Sequence, residues 1–218
     1  MTRVIQRVLE HGLLDQVVVA TESPLIATVA EKAGVMAVLT SPEHSTGTER
    51  VAEVSRKGEF AGFDVIANIQ GDEPFISKAA LEGAIERVRL GDDVGTAAAP
   101  LDAADAADPS RVKVVTGLDG RALYFSRAVI PFLRDETDSA HDLYWQHIGV
   151  YVYPRTSLDR WVHLPATSLE LVERLEQLRA LQNGMTFGVA RLTEPALPGV
   201  DTLEDLQRAE AYWNAQSR

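Results

Sequence analysis

Val65-Ile66-Ala67-Asn68-Ile69-Gln70-Gly71-Asp72-Glu73-Pro74 is the stretch whose reading decides the fold. Its β-branched, apolar first half predicts a buried strand, and Gly71 and Pro74 stop that strand at two adjacent carboxylates. In open parallel sheets ligands bind beyond the carboxyl ends of the strands, so the pattern sets Asp72 and Glu73 at a crevice. Two carboxylates there suit a hard cation such as Mg²⁺, which keeps several waters and takes one or two protein oxygens plus substrate phosphates. A polar turn after a core strand is the plainer alternative.

Outward from this strand the chain alternates between strand and helix. Upstream, Val4, Ile5, Val8 and Leu9 recur at helical spacing with Gly12 closing the segment, and Val17 to Ala20 reads as a strand. A helix from Pro24 to about Ala33, a strand from Val35 to Leu39 and a helix from about Thr48 to Lys57 follow. Downstream, Ser77 caps a helix reaching about Leu90, and an Ala/Asp-rich connector runs from Asp102 to Ser110. Asp119-Gly120 between Val112 to Val115 and Ala122 to Phe125 marks a hairpin. A strand from His147 to Tyr153, one long helix from about Ser168 to Gln182, a strand from Met185 to Leu192 and a helix from Leu203 to Trp213 complete the reading. Such alternation predicts an α/β fold, a doubly wound, mostly parallel sheet covered on both faces. At 218 residues the chain fits one domain, 1–218.

Lys and Arg number 21 against 32 Asp and Glu, a formal net charge of −11 that disfavours non-specific attraction to nucleic acid or anionic membranes. Any phosphate must be held locally. The absence of cysteine rules out disulfides and thiolate metal sites. No apolar run approaches about 18 residues and no basic-then-apolar leader opens the sequence, so a cytoplasmic protein is expected.

Glu43-His44-Ser45-Thr46-Gly47-Thr48-Glu49-Arg50 gathers hydroxyls, a glycine and a guanidinium between a strand and a helix. Such a loop offers backbone N–H groups and a fixed cation to a polar ligand, or else Thr46 or Thr48 simply caps the helix. In order, His44 to Arg50, Gln70 to Pro74, Ala122 to Pro131, His147 to Tyr151, Leu175 to Arg179 and Gly199 to Leu206 resemble the CMP-Kdo synthetases, the 3-deoxy-manno-octulosonate cytidylyltransferases. Six collinear blocks spanning essentially the whole chain make the resemblance specific, although CMP-sialic acid synthetases share the architecture.

The resemblance implies a nucleotide-diphospho-sugar transferase-like fold and transfer of a cytidylyl group from CTP to Kdo, releasing pyrophosphate and supplying CMP-Kdo for lipopolysaccharide synthesis. By the same likeness Asp72 and Asp201 are the magnesium ligands, with Asp201 as a helix N-cap the alternative. Thr46 and Arg50 match CTP contacts, and Gln70 touches both substrates. Arg134, His147, Glu176 and Gln177 match sugar-site positions, with Arg127 supporting them. Arg134 in the run Arg134-Asp135-Glu136 could instead be plain surface, and Glu176 could pair with Arg179 along a helix. His147 is also the one candidate general base. Tyr144, Trp145, Tyr151 and Tyr153 around it read mainly as core. A homodimer is implied through a middle segment of about 100–150, with the hairpin at Asp119-Gly120 and Tyr124-Phe125 as interface candidates.

Family members open with a strand and a loop rich in Arg, Ser, Thr, Gly and Lys that wraps the CTP triphosphate, and nothing like it precedes Met1-Thr2-Arg3-Val4. The expectation is an N-terminally truncated domain that lacks a central strand, leaves neighbouring edges unpaired and lacks that loop's cations. Two alternatives accompany the main reading: a cytidylyltransferase for sialic acid or an amino-Kdo, and a non-catalytic dimeric binding protein.

Overall fold

The computed structural model describes residues 1–135, 143–197, 199–200 and 202–216. β3 (Val65–Ile69) forms where its sequence places it, and pairs antiparallel with β7 (Trp145–Pro154), from Val65 opposite Pro154 to Ile69 opposite Val150. β7 is the spine of a six-stranded sheet. β4 (Val94–Pro100) lies antiparallel to β7 and carries β8 (Phe187–Arg191) parallel on its far side. The hairpin β5 (Lys113–Thr116) and β6 (Ala122–Ser126) joins β7 through Lys113 opposite Gln146. β3, β4, β5 and β8 therefore share one direction, while β7 and β6 oppose it. The α/β expectation holds, and the sheet is mixed because β7 enters it reversed.

β1 (Val18–Thr21) and β2 (Met36–Leu39) form a separate parallel pair. Between β1 and β3 runs an apolar slot of about 330 Å³, with Val18 and Ala20 on one side, Val65 and Ala67 on the other, and Phe60 and Val88 also on its walls. Both strands turn an edge without ladder partners among the described residues towards it.

Helices cover both faces. α1 (Thr2–His11) buries Val4, Ile5 and Val8 and is closed by Gly12 at φ 63°, whose N–H reaches the Leu9 carbonyl. α2 (Pro24–Lys32) follows β1 and starts on its proline. Thr46 caps α3 (Gly47–Ser55) by accepting from Glu49 N at 3.2 Å, and Ser77 caps α4 (Lys78–Arg89) by accepting from Ala80 N at 3.1 Å. Alternation along β7 sends Tyr151 and Tyr153 into one core with Phe125, Trp161 and Phe187. Val150 and Val152 point into another with Val4, Ile76 and Leu81.

Two elements went unread in the sequence, and two expectations need correction. The segment of small residues Val94–Pro100 is a central strand: α4 presses so closely on it that a Cβ at Gly95 would stand 1.9 Å from the Ala84 carbonyl oxygen. α5 (Arg155–Val162), unanticipated, buries Leu158 and Trp161. The long helix expected over 168–182 is two, α6 (Ser168–Glu173) and α7 (Gln177–Gln182), broken where Arg174 adopts φ 55°. The reason is local: Arg127 donates from Nε to the Glu173 carbonyl at 2.8 Å and from Nη2 to the Arg174 carbonyl at 3.3 Å, drawing both out of a helical ladder. Finally, Phe125 packs edge-on to His147 and Phe187 with no exposed surface, so it belongs to the core rather than to an interface. Leu118 and Leu123 of the same hairpin are exposed. The last helix, α8, is Leu203–Gln216.

Candidate functional site

A cavity of about 800 Å³ opens where β3 ends. Gln70, Asp72 and Glu73 come from that strand end, Ser45 and Thr46 from the loop before α3, and Gln146 and His147 from β7. Arg127 after β6, and Glu176 and Gln177 at the start of α7, close the opposite wall. Thus seven of the ten residues singled out from sequence, Thr46, Gln70, Asp72, Arg127, His147, Glu176 and Gln177, share one wall system although they are scattered along the chain.

Three do not join them in the same way. Arg134 is exposed and does not line the cavity. Arg50 is turned away from it: its guanidinium is 2.6 Å from Glu22 and donates to Thr40 Oγ1 at 2.6 Å. Asp201 lies outside the described residues. Its predecessor Val200, however, donates from its N–H to the Asp72 carbonyl at 2.9 Å, and Asp205, which accepts from Thr202 N at 2.9 Å, lines the cavity.

His147 is buried, and its burial pushes the imidazole down to about 3, so it is neutral at physiological pH and far too weak a base for the proton-accepting role considered from sequence. Burial pushes the Glu176 carboxyl up, while the Thr48 and Thr46 hydroxyls partly oppose this. The alternative pairing of Glu176 with Arg179 is not what forms. Arg179 instead clasps Glu170 through Nε at 3.0 and 2.9 Å and Nη2 at 2.6 Å, with Glu49 a further 3.4 Å neighbour. Arg127 holds the wall as a support: besides the carbonyls of α6, Nη1 donates to the Pro109 carbonyl at 2.8 Å, and its backbone N–H reaches Glu173 Oε2 at 2.9 Å. Burial acts to raise the Glu173 carboxyl, but the Ser126 hydroxyl and the Arg127 amide outweigh it and hold Glu173 below its ordinary value.

Sequence reasoning passed over Arg111, Arg174 and Arg208, three guanidiniums on the cavity wall. Arg111 donates from Nη1 to Gln146 Oε1 at 3.1 Å, directly beside His147, and lies 3.4 Å from Asp105. Its only sequence cue was a position at the end of the acidic connector. Together with Arg127 and Arg179, these three share the wall with the carboxylates Asp72, Glu73, Asp108, Glu170, Glu176 and Asp205, so the cavity offers local cations to an anionic group beside oxygen donors for a metal. Among the described residues no three His, Cys, Asp or Glu side chains gather into a metal site. Asp72 and Glu73 nevertheless offer the hard oxygen donors that a water-rich Mg²⁺ accepts, so the wall fits that ion.

Comparison with known proteins identifies the family. The family model described as "Cytidylyltransferase" matches residues 1–187. The 3-deoxy-manno-octulosonate cytidylyltransferase of Gemmatimonas aurantiaca is 48% identical over 217 residues, covering 98% of this chain and 84% of the relative. That of Proteus mirabilis is 39% identical over 221 residues, covering 99% and 87%. A solved CMP:2-keto-3-deoxy-manno-octonic acid synthetase complexed with CTP superposes with a TM-score of 0.87 at 35% identity, over 98% of this chain and 88% of the other. A putative glucose-1-phosphate thymidylyltransferase from Bacillus anthracis, at TM-score 0.60 and 14% identity, shares the fold alone. These matches do not favour the alternatives of another acid sugar or a non-catalytic protein. The chain belongs to the family of 3-deoxy-manno-octulosonate cytidylyltransferases.

Proposed function

We propose that this protein transfers the cytidylyl group of CTP to the anomeric hydroxyl of Kdo, giving CMP-Kdo and pyrophosphate. The observation that carries the reading is the convergence of Thr46, Gln70, Asp72, Arg127, His147, Glu176 and Gln177 on one cavity. A bond forms between the sugar oxygen and the α-phosphorus, the bond from that phosphorus to the β-phosphate oxygen breaks, and the hydroxyl proton leaves to solvent. Such chemistry rests on placement and charge stabilisation rather than on an enzyme nucleophile.

Thr46 and Gln70 lie on the nucleotide side of this reading, with Gln70 reaching both substrates. His147, Glu176 and Gln177 face the sugar hydroxyls, and Arg111 and Arg174, rather than Arg134, face the sugar carboxylate, where a planar guanidinium is the best complement. Asp72, joined by Asp201, would hold Mg²⁺, which supplies phosphate neutralisation when bound. We place the enzyme in the cytoplasm, as one catalytic domain over 1–218. It would dimerise through the middle segment, about 100–150, where Leu118, Leu123 and Phe132 expose apolar surface. Among the described residues no helix is long and apolar enough to cross a membrane.

The test is CMP-Kdo formation from CTP and Kdo with and without Mg²⁺, in the protein and in Asp72→Asn. Turnover is expected to need the metal and to fall by about 100-fold or more in the variant, the scale of losing a charge-stabilising group. Full activity in chelator, or an unimpaired Asp72→Asn, would defeat the assignment, and turnover of sialic acid in preference to Kdo would redirect it.

A further inference from the structure

β4 and β7 do not keep register along their whole length. Gly95 lies opposite Val152 and Ala97 opposite Ile148, so β7 bulges against the single residue Thr96. A bulge leaves backbone carbonyls without ladder partners. Thr96, wholly buried, supplies one: its Oγ1 stands 2.7 Å from the Val150 carbonyl oxygen, with that of Ile148 at 3.4 Å. The same hydroxyl oxygen stands 2.9 Å from His147 Nε2.

A hydroxyl has one proton to give. At 2.7 Å from a carbonyl oxygen the Thr96 proton must lie between the two oxygens, because two bare lone pairs at that distance repel. Thr96 therefore offers His147 a lone pair, and Nε2 must carry the imidazole proton. Burial keeps the ring neutral, so Nδ1 bears none. Phe125 and Tyr151, with centroids 4.9 and 5.5 Å from the imidazole, fix the plane of the ring. His147 lines the cavity and Nε2 is turned into the sheet, which leaves Nδ1 for the ligand.

We propose that Thr96 is a positioning residue that locks His147 in its Nε2–H tautomer, so that Nδ1 accepts a hydrogen bond from a hydroxyl of the acceptor sugar. This rests on the cytidylyltransferase reading and deepens it. On a wall rich in guanidinium donors, Nδ1 is an acceptor, and it selects a hydroxyl over a carbonyl or carboxylate oxygen at that point.

Long-range ¹H–¹⁵N spectra of the imidazoles, recorded on the full chain, read the tautomer without any turnover. The protein and Thr96→Ser are expected to show His147 as Nε2–H, and Thr96→Val to show a mixture of tautomers. In steady state Thr96→Val raises the KM for Kdo about ten-fold while leaving that for CTP within about two-fold, and Thr96→Ser restores it, the size expected for one hydrogen bond to a substrate. An Nδ1–H tautomer in the unaltered protein, or an unchanged KM for Kdo in Thr96→Val, overturns the proposal. Should Thr96→Val fail to fold, the unaltered protein decides: the His147 Nδ1 resonance must shift on adding Kdo, and a stationary resonance while CMP-Kdo is being formed overturns it. Absence of any turnover with Kdo and CTP would refute the cytidylyltransferase reading, and the sugar contact with it, whereas the spectrum alone decides what Thr96 does to His147.

Discussion

Glu170→Ala should be among the most damaging single changes outside the hydrophobic core. Glu170 and Arg179 keep only 9% and 11% of their side-chain surface, and Glu170 accepts three close contacts from Nε and Nη2. Truncating one member of such a pair strands the other charge in a desolvated place, which typically costs about 3–5 kcal/mol. Glu170 Oε2 also accepts the Thr167 N–H at 3.2 Å at the start of α6, and that donor is orphaned too. Against this, Glu49 remains 3.4 Å from Arg179 and shares some of its charge. The expected loss is therefore near the lower figure, about 3 kcal/mol, or about 6–12 °C in Tm for a chain of this size. Urea unfolding followed by circular dichroism at neutral pH reads it as a lower midpoint with an unchanged slope. A loss below about 1 kcal/mol would place the pair in the class of solvated surface bridges and refute the reasoning. The companion variant Glu170→Leu with Arg179→Met, which removes both charges, should recover most of the loss.

Two further outcomes follow from the site. Arg111→Lys should raise the KM for Kdo about ten-fold with CTP affinity unchanged, because a lysine cannot reproduce a two-pronged grip on a carboxylate, whereas Arg134→Ala should stay within about two-fold; steady-state kinetics with either substrate varied would show the reverse if Arg134 were the anchor. His147 has a native value near 3 against 6.5 for an unhindered imidazole, so acid favours the unfolded state, which takes up a proton that the native state refuses. Its contribution is intact above about pH 6.5 and declines by about 1.4 kcal/mol per pH unit down towards pH 3, levelling off below. The difference in urea midpoint between the protein and His147→Gln should trace that slope, and a flat difference would show that the ring is hydrated.

Elements with strong local signals were legible before any coordinates. Gly12 and Ser77 end and start helices as their chemistry dictates, and Asp119-Gly120 turns a hairpin. What sequence missed was decided at a distance. Val94-Gly95-Thr96-Ala97-Ala98-Ala99 has only Val94 and Thr96 as β-branched residues among glycine and alanines, and at Gly95 the Ala84 carbonyl of α4 lies too close to admit a side chain. The break at Arg174 comes from Arg127, dozens of residues upstream, and no pattern within 168–182 announces it. Likewise the collinear blocks led to Gln70, Asp72, His147 and Glu176, but the guanidinium of Arg111 reaches the wall through the packing of a connector whose composition says only that it is solvated.

The slot between β1 and β3 bears on how the molecule comes apart. Among the described residues no ladder bonds tie the β1–β2 pair to the larger sheet, so it is held through side chains such as Val19 against Ile5, and Val38 against Val54 and Phe60. With no shared ladder to hold them to the larger sheet, β1, α2 and β2 make a natural unit of sub-global opening. Amide protons there should exchange with solvent well before those of β7, and each opening would widen two backbone margins already disposed to recruit a stray strand.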